Sequence, residues 1–255
     1  MQQVRVDLFP TAAGYDRATT LFSPDGRLYQ VEYAIETVRR GSLAMGIKSK
    51  DGVLLAVEEK VRKLQVSDFT QKIFQIDDHI GLGAAGYIPD ARAQVDHARF
   101  FAQSNRLMYD EPVDVEGVAN NLADMAQQFT QFAGARPYAV ALILAGVDKN
   151  GVSLYQTDPS GSYIGYDAVA IGNGSDQVNE FLEKNYNADI SMDEASILAL
   201  DSIYLIDEEK TGTRHIRMAQ IDTKTKRIKF IENNDIENYA SKSKENAKKR
   251  KRTPQ

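Results

Sequence analysis

From Leu28 onward the chain alternates between two kinds of apolar spacing. Leu28, Val31, Ile35 and Val38 recur at steps of three and four, the repeat of a helix with one buried face. Ser23-Pro24-Asp25-Gly26 supplies the turn and capping groups before it. Arg39 and Arg40 suit its C-terminal end, and Gly41 can stop it in the left-handed conformation. The repeat then shortens. Ser42 to Lys48 and Val53 to Glu58 flank Lys50-Asp51-Gly52, and Ile73 to Ile76 and Ile80 to Leu82 bracket Asp77-Asp78, which predicts antiparallel hairpins. Helical spacing returns in Ala91 to Met108 and Val115 to Phe132, separated by Tyr109-Asp110-Glu111-Pro112. Strands follow at Tyr138 to Val147, Ser153 to Gln156 and Ala168 to Ile171. Helices fit Gln177 to Tyr186 and Met192 to Ile206, and a last hairpin fits Ile216 to Asp222 with Arg227 to Ile231.

Strands, two helices, strands, two helices, strands is an α+β order in which helices cover sheets that pack on one another. No internal repeat of fixed period occurs. Residues 1–13 show no sustained period and read as a flexible arm, residues 14–240 as one large domain, and residues 241–255 as a basic disordered tail.

Composition narrows the chemistry. The chain of 255 residues has no cysteine, so neither a disulfide framework nor a thiol nucleophile nor a thiolate metal site is available. The start lacks the apolar run of a signal peptide, and no run approaches the roughly 20 apolar residues of a membrane span, so the expectation is a soluble cytoplasmic protein without a membrane partner. Net charge is −5, but Lys242 to Arg252 alone carries seven basic residues against Glu245. That +6 leaves the rest of the chain at about −11. An acidic body is a poor match for nucleic acid; the tail could bind it, though charged termini are more often solvated ends.

Two further features have ordinary explanations. Gly81-Leu82-Gly83-Ala84-Ala85-Gly86 matches a dinucleotide-binding fingerprint, but the acid expected about 20 residues later is replaced by Ser104-Asn105-Arg106 inside helical spacing. The expected role is a small-residue turn where helix packs on sheet, and no cofactor is called for. His79, His97 and His215 are far apart and lack ligand partners at helix or strand spacing, so no metal site is expected.

The stretch Tyr15-Asp16-Arg17, Phe22-Ser23-Pro24-Asp25-Gly26-Arg27, Gln30-Val31-Glu32-Tyr33-Ala34 resembles the N-terminal signature of proteasome α subunits of the archaeal kind. The resemblance continues through Gly52 to Ala56, Lys72 to Asp78, Arg136-Pro137-Tyr138, Asp158 to Gly161 and Ala170 to Gly174, and covers roughly residues 8–235. It implies a four-layer αββα sandwich of the N-terminal-nucleophile hydrolase type, with an extra N-terminal helix across the cleft. It also implies that copies of the chain form seven-membered outer rings on proteasome β subunits, which do the cleaving.

By the same resemblance, the N-terminal arm gates the axial pore through which unfolded protein substrates enter. Tyr15, Asp16, Pro24 and Tyr33 form the cluster that holds the gate open. Lys72, with Gly41 and Glu32 nearby, forms a pocket for the C-terminal hydrophobic-Tyr-x tail of an AAA ATPase activator. Phe132, Gly134, Ala135 and Arg136 fall in the fixed constriction of the pore.

Two other functions compete with this one. If residues 1–41 were removed, Ser42 would become an N-terminal nucleophile with Glu58 as the acid and Lys72 as the lysine of a hydrolase. Against it, Ser42 has no free amine while those residues remain, and the stripe from Leu28 to Val38 needs burial in the same cleft. The other competitor is nucleic-acid binding through the tail.

Overall fold

The structure, a computed structural model, describes residues 15, 17, 18, 20–59, 64, 72–206 and 212–250, with 244–250 as backbone alone. The arm (1–13), Asp16 and residues 251–255 lie outside the described residues.

Strand β1 (Ala44–Ser49) pairs antiparallel with β2 (Gly52–Glu58), and β3 (Ile73–Asp77) with β4 (Ile80–Gly86). Helices α2 (Ile88–Tyr109) and α3 (Val115–Gln131) follow α1 (Tyr29–Arg40) in chain order. Then come β5 (Val140–Asp148), β6 (Gly151–Thr157), β7 (Tyr163–Gly165) and β8 (Ala168–Ile171). The chain closes with α4 (Ser175–Asn185), α5 (Met192–Ile206), β9 (Ile216–Asp222), β10 (Ile228–Phe230) and α6 (Asn233–Arg250). Two five-stranded sheets result, ordered β10-β9-β2-β1-β8 and β3-β4-β5-β6-β7.

Alternation along the central strands assigns each side chain to a layer. Val53, Leu55 and Val57 of β2 meet Ala141, Ile143, Ala145 and Val147 of β5 between the sheets. Leu54 and Ala56 point the other way, to Leu198, Ala199 and Ile203 of α5. Leu142 and Leu144 likewise face Val95, Ala98, Val118 and Leu122 of α2 and α3. With both faces covered, β5 reads as an unbroken apolar run, and each fully buried Leu contributes roughly 1.5–3 kcal/mol. The layers are αββα.

Four expectations need correction. Gly41 is extended (φ −67, ψ 148), not left-handed. Gly81 and Gly83 lie within β4, where an added Cβ would meet Leu55 at 3.0 Å and 3.6 Å, so they let sheet approach sheet and form no helix-packing turn. The chain is helical through Arg250, where a disordered tail was expected from 241. The apolar stripe of α1 is rotated, too: Tyr29, Val31, Ala34 and Val38 are buried, while Leu28 and Ile35 are half-buried.

Candidate functional site

At one end of the sandwich, three glycines from separate segments meet. A Cβ on Gly41 would sit 2.3 Å from the Gly86 nitrogen, and one on Gly172 would sit 2.8 Å from the Ser42 carbonyl oxygen. Gly86 and Gly172 also have φ of +118 and +96, which side chains rarely adopt. The Asn173 amide donates to the Gly41 carbonyl at 2.7 Å. Helix α1, packed on β4 and β5, is thereby fixed at its C-terminal end to both sheets.

Ser42 follows at the foot of β1. Its Oγ donates to the Glu58 carbonyl at 2.8 Å, and Lys72 Nζ donates to Ser42 O (2.6 Å), Ser42 Oγ (2.9 Å), Leu43 O (3.2 Å) and Glu58 O (3.2 Å). Lys72 is 7% exposed. Three of the four oxygens facing the lysine nitrogen are main-chain carbonyls, so its hydrogen-bonding capacity is turned toward the backbone as much as toward the Ser42 hydroxyl. Ser42 and Lys72 are therefore brought together, but Glu58 enters through its main chain.

The buried carboxylate beside them is Glu59, 4% exposed, accepting from the Lys72 amide at 2.8 Å with Arg217 Nε 4.0 Å away. Burial holds its carboxyl above the usual carboxylate range, against the pull of the Lys72 amide, Arg217 and the Lys72 charge. Two adjacent glutamates gave the sequence no way to tell the buried one from the other.

Glu32 is not part of this cluster. Nine residues up α1, about 13 Å at the helical rise, it pairs with Arg27, whose hydrogen bonds hold its carboxyl below the ordinary value. Of the expected gate cluster, Pro24 is exposed in the turn closed by Gly26 N–H to Ser23 O at 2.9 Å, and Tyr15 and Tyr33 are exposed as well. The Tyr33 ring lies 6.4 Å from that of Tyr29 and lines a cavity of about 340 Å³ with Tyr87, Arg136 and Pro137.

Arg136 is tied back into the fold. Its guanidinium grips Asp90 in both branches, at 2.6 and 2.7 Å, and lies 5.5 Å from the Tyr87 ring centre. Asp90 also accepts from the Ala139 amide at 2.9 Å. Phe132 and Gly134 remain exposed, Gly134 at φ +92 in the turn, and Ala135 is half-buried. Asp90 follows Pro89 in the first turn of α2, an acid position with no distinguishing mark in the sequence.

Each histidine has a local partner: His79 Nε2 lies 2.8 Å from Val113 O, His97 Nε2 lies 2.8 Å from Asn121 Oδ1, and the His215 carbonyl accepts from the Glu59 amide at 2.6 Å. Among the described residues no group of His, Asp and Glu could hold a metal, and no helix is long and apolar enough to cross a membrane.

Residues 38–221 match the proteasome subunit family, and residues 15–36 match the N-terminal signature of its A-type members. The chain belongs to the proteasome α-subunit family. The proteasome α subunit of Pyrobaculum aerophilum is 46% identical over 237 residues, 92% of this chain and 97% of that protein. That of Methanosarcina barkeri is 46% identical over 227 residues (89% and 91%), and that of Saccharolobus islandicus 47% over 219 (85% and 91%). The α-type signature thus coincides with the turn at Ser23 to Gly26 and most of helix α1, whose far end meets Gly86 and Gly172.

Proposed function

We propose that this α subunit is a non-catalytic part of the proteasome core, forming seven-membered outer rings, gating substrate entry and docking an activator while β subunits cleave. The observation that carries the reading is the state of the Ser42 corner. A nucleophile of this type takes its own free amine as base, and here the Ser42 nitrogen is in the peptide bond to Gly41, at the end of the helix that packs on β4 and β5, while Lys72 Nζ is turned to three main-chain carbonyls. The corner is built for rigidity, which suits a subunit that holds a gate in place.

Residues 1–13 close the pore when arms from several copies interdigitate, and Tyr15, Asp16, Pro24 and Tyr33 hold them aside in the open state. Within one chain Tyr33 and Pro24 are solvent-facing, as groups that meet a neighbouring copy must be. Phe132, Gly134 and Ala135 form the constriction, and the Asp90 grip on Arg136 sets its position. Lys72, with the Gly41 main chain, receives the terminal carboxylate of an AAA ATPase activator's hydrophobic-Tyr-x tail by exchanging one of its four oxygens.

Native mass spectrometry of the purified chain should read full-length subunits in multiples of seven. In a barrel reconstituted with β subunits, deleting residues 2–13 should raise peptide hydrolysis without activator. A chain shortened between Gly41 and Ser42 would overturn the non-catalytic assignment, and unchanged hydrolysis would overturn the gate.

A further inference from the structure

Strand β8 is the edge of its sheet, and α4 lies over it. Between them and the C-terminal half of α1 runs a groove of about 580 Å³, with Ile35, Val38 and Tyr166 along its floor. The charged groups lining it are Asp158, Asp167, Asp176 and Glu183 against Arg39 alone. Asp158 is occupied by Ser160 and Ser162, and Asp167 is shared with Lys48 at 3.3 Å, whereas Asp176 and Glu183 are exposed. The groove is acidic along one rim.

The basic run of the sequence belongs to the helix at the opposite edge of the same sheet. Helix α6 packs on β9 and α5, so the helical layer runs α4, α5, α6 from one edge to the other. Its Tyr239 donates to Asp193 at 2.7 Å and its Ser243 to Asp201, so α6 advances along α5 in the same direction. The far end of α5, Ile206, lies against Gly174, immediately before Ser175 and Asp176. The last turns of α6, to which the sequence assigns Lys244, Lys248, Lys249 and Arg250, therefore emerge from the other edge at the end of the molecule where Asp176 stands, and from there the acidic rim runs along α4 to Glu183.

We infer that the basic end of α6, from Lys242 to Arg252, docks into the acidic groove between β8 and α4 of a neighbouring copy. Two different complementary patches on opposite edges make a heterologous contact, and copies joined this way propagate in one rotational sense until a ring closes. The basic end of α6 and the Asp176 end of the groove stand at the same end of the helical layer, as closure requires. The chain's own basic end would have to turn back across α5 and α4, about 16–20 Å at ordinary helix spacing, while a neighbour presents its end directly. Complementary charge at such a contact fixes partner choice and register more than raw affinity. The inference rests on the self-assembling reading above and gives the basic segment a role that gating and activator docking leave unassigned.

The test uses the full chain. Rings are assembled from an equal mixture of light and isotopically heavy subunits, treated at low salt with a carbodiimide, which joins only amines and carboxylates already in contact, and digested for mass spectrometry. Isopeptide links from Lys244, Lys248, Lys249 or Lys251 to Asp167, Asp176 or Glu183 should appear as mixed light and heavy pairs. They should disappear in the double variant Asp176→Lys, Glu183→Lys. If native mass spectrometry reads rings but these lysines link elsewhere, within one copy, or not at all, the docking is wrong and the ring reading stands. If no ring forms, both fall.

Discussion

A methyl group at position 41 would lie 2.3 Å from the Gly86 nitrogen and 2.8 Å from its Cα, so Gly41→Ala must push one backbone away from another. Overpacking of this kind costs about 1–3 kcal/mol. Gly117, inside α3, makes the contrasting case: its added Cβ meets only Val113 Cγ2 at 3.8 Å, and Ala there should stabilise by about 0.4–1 kcal/mol. Urea midpoints should move in opposite directions with unchanged slopes; a neutral Gly41→Ala would mean that the corner yields. Glu59 predicts a pH effect. Its folded pKa is raised by burial, so its stabilising contribution is fully present below the ordinary 4.5 and is lost as pH rises through the raised value. Gln at 59 can still accept from the Lys72 amide. The stability of Glu59→Gln relative to the parent should therefore increase from pH 4.5 upward and then level off. A flat difference across that range would show that the ionised carboxylate bears no burial penalty.

At the scale of elements, the unpaired edge of strand β8 beneath α4 is capped at Ala170 by a side chain. Asn179 of α4 accepts from the Ala170 amide at 2.8 Å and donates to the Ala170 carbonyl at 3.1 Å, imitating a neighbouring strand. Asn179→Ala leaves both groups without that partner, at a cost of about 1–3 kcal/mol, and opens the edge. Light scattering on warming should show earlier, concentration-dependent association, and parent-like scattering would mean the edge is protected some other way. Asn179 carries no sequence signal, because its partner is a main-chain group nine residues away. Elements were legible where the period was strong: Met192–Ile206, Ala168–Ile171 and Ile216–Asp222 stand where the spacing predicts them. Helix α6 escaped detection because it is mostly polar and buries a narrow stripe, Ile236, Ala240 and Ser243. At three residues, β7 is too short for a period to register. In the site, Ser42 and Lys72 were paired through the resemblance, but which glutamate is buried beside them depends on where β2 ends, a boundary the pattern places only within a residue or two.

For the whole assembly, Lys72 joins stability to activator response, and two substitutions separate them. Its nitrogen faces the Ser42 hydroxyl and three main-chain carbonyls, more oxygens than a lysine has protons to donate, so one of these contacts can be given up. Under the docking reading the Ser42 hydroxyl is the exchangeable one, because it keeps its own bond to Glu58 O when the lysine leaves it. An arriving carboxylate displaces that hydroxyl. Ser42→Ala should then leave activator-stimulated hydrolysis by the reconstituted barrel undiminished, since it removes only a competitor. Lys72→Ala should abolish stimulation and also lower stability by about 1.5–3 kcal/mol per lost charged hydrogen bond. Stimulation must therefore be measured well below the variant's own melting temperature, with rings verified by native mass spectrometry. Lys72→Ala barrels that are intact and respond normally would place the carboxylate elsewhere. Loss of unstimulated hydrolysis in Ser42→Ala would restore the nucleophile that the surrounding carbonyls argue against.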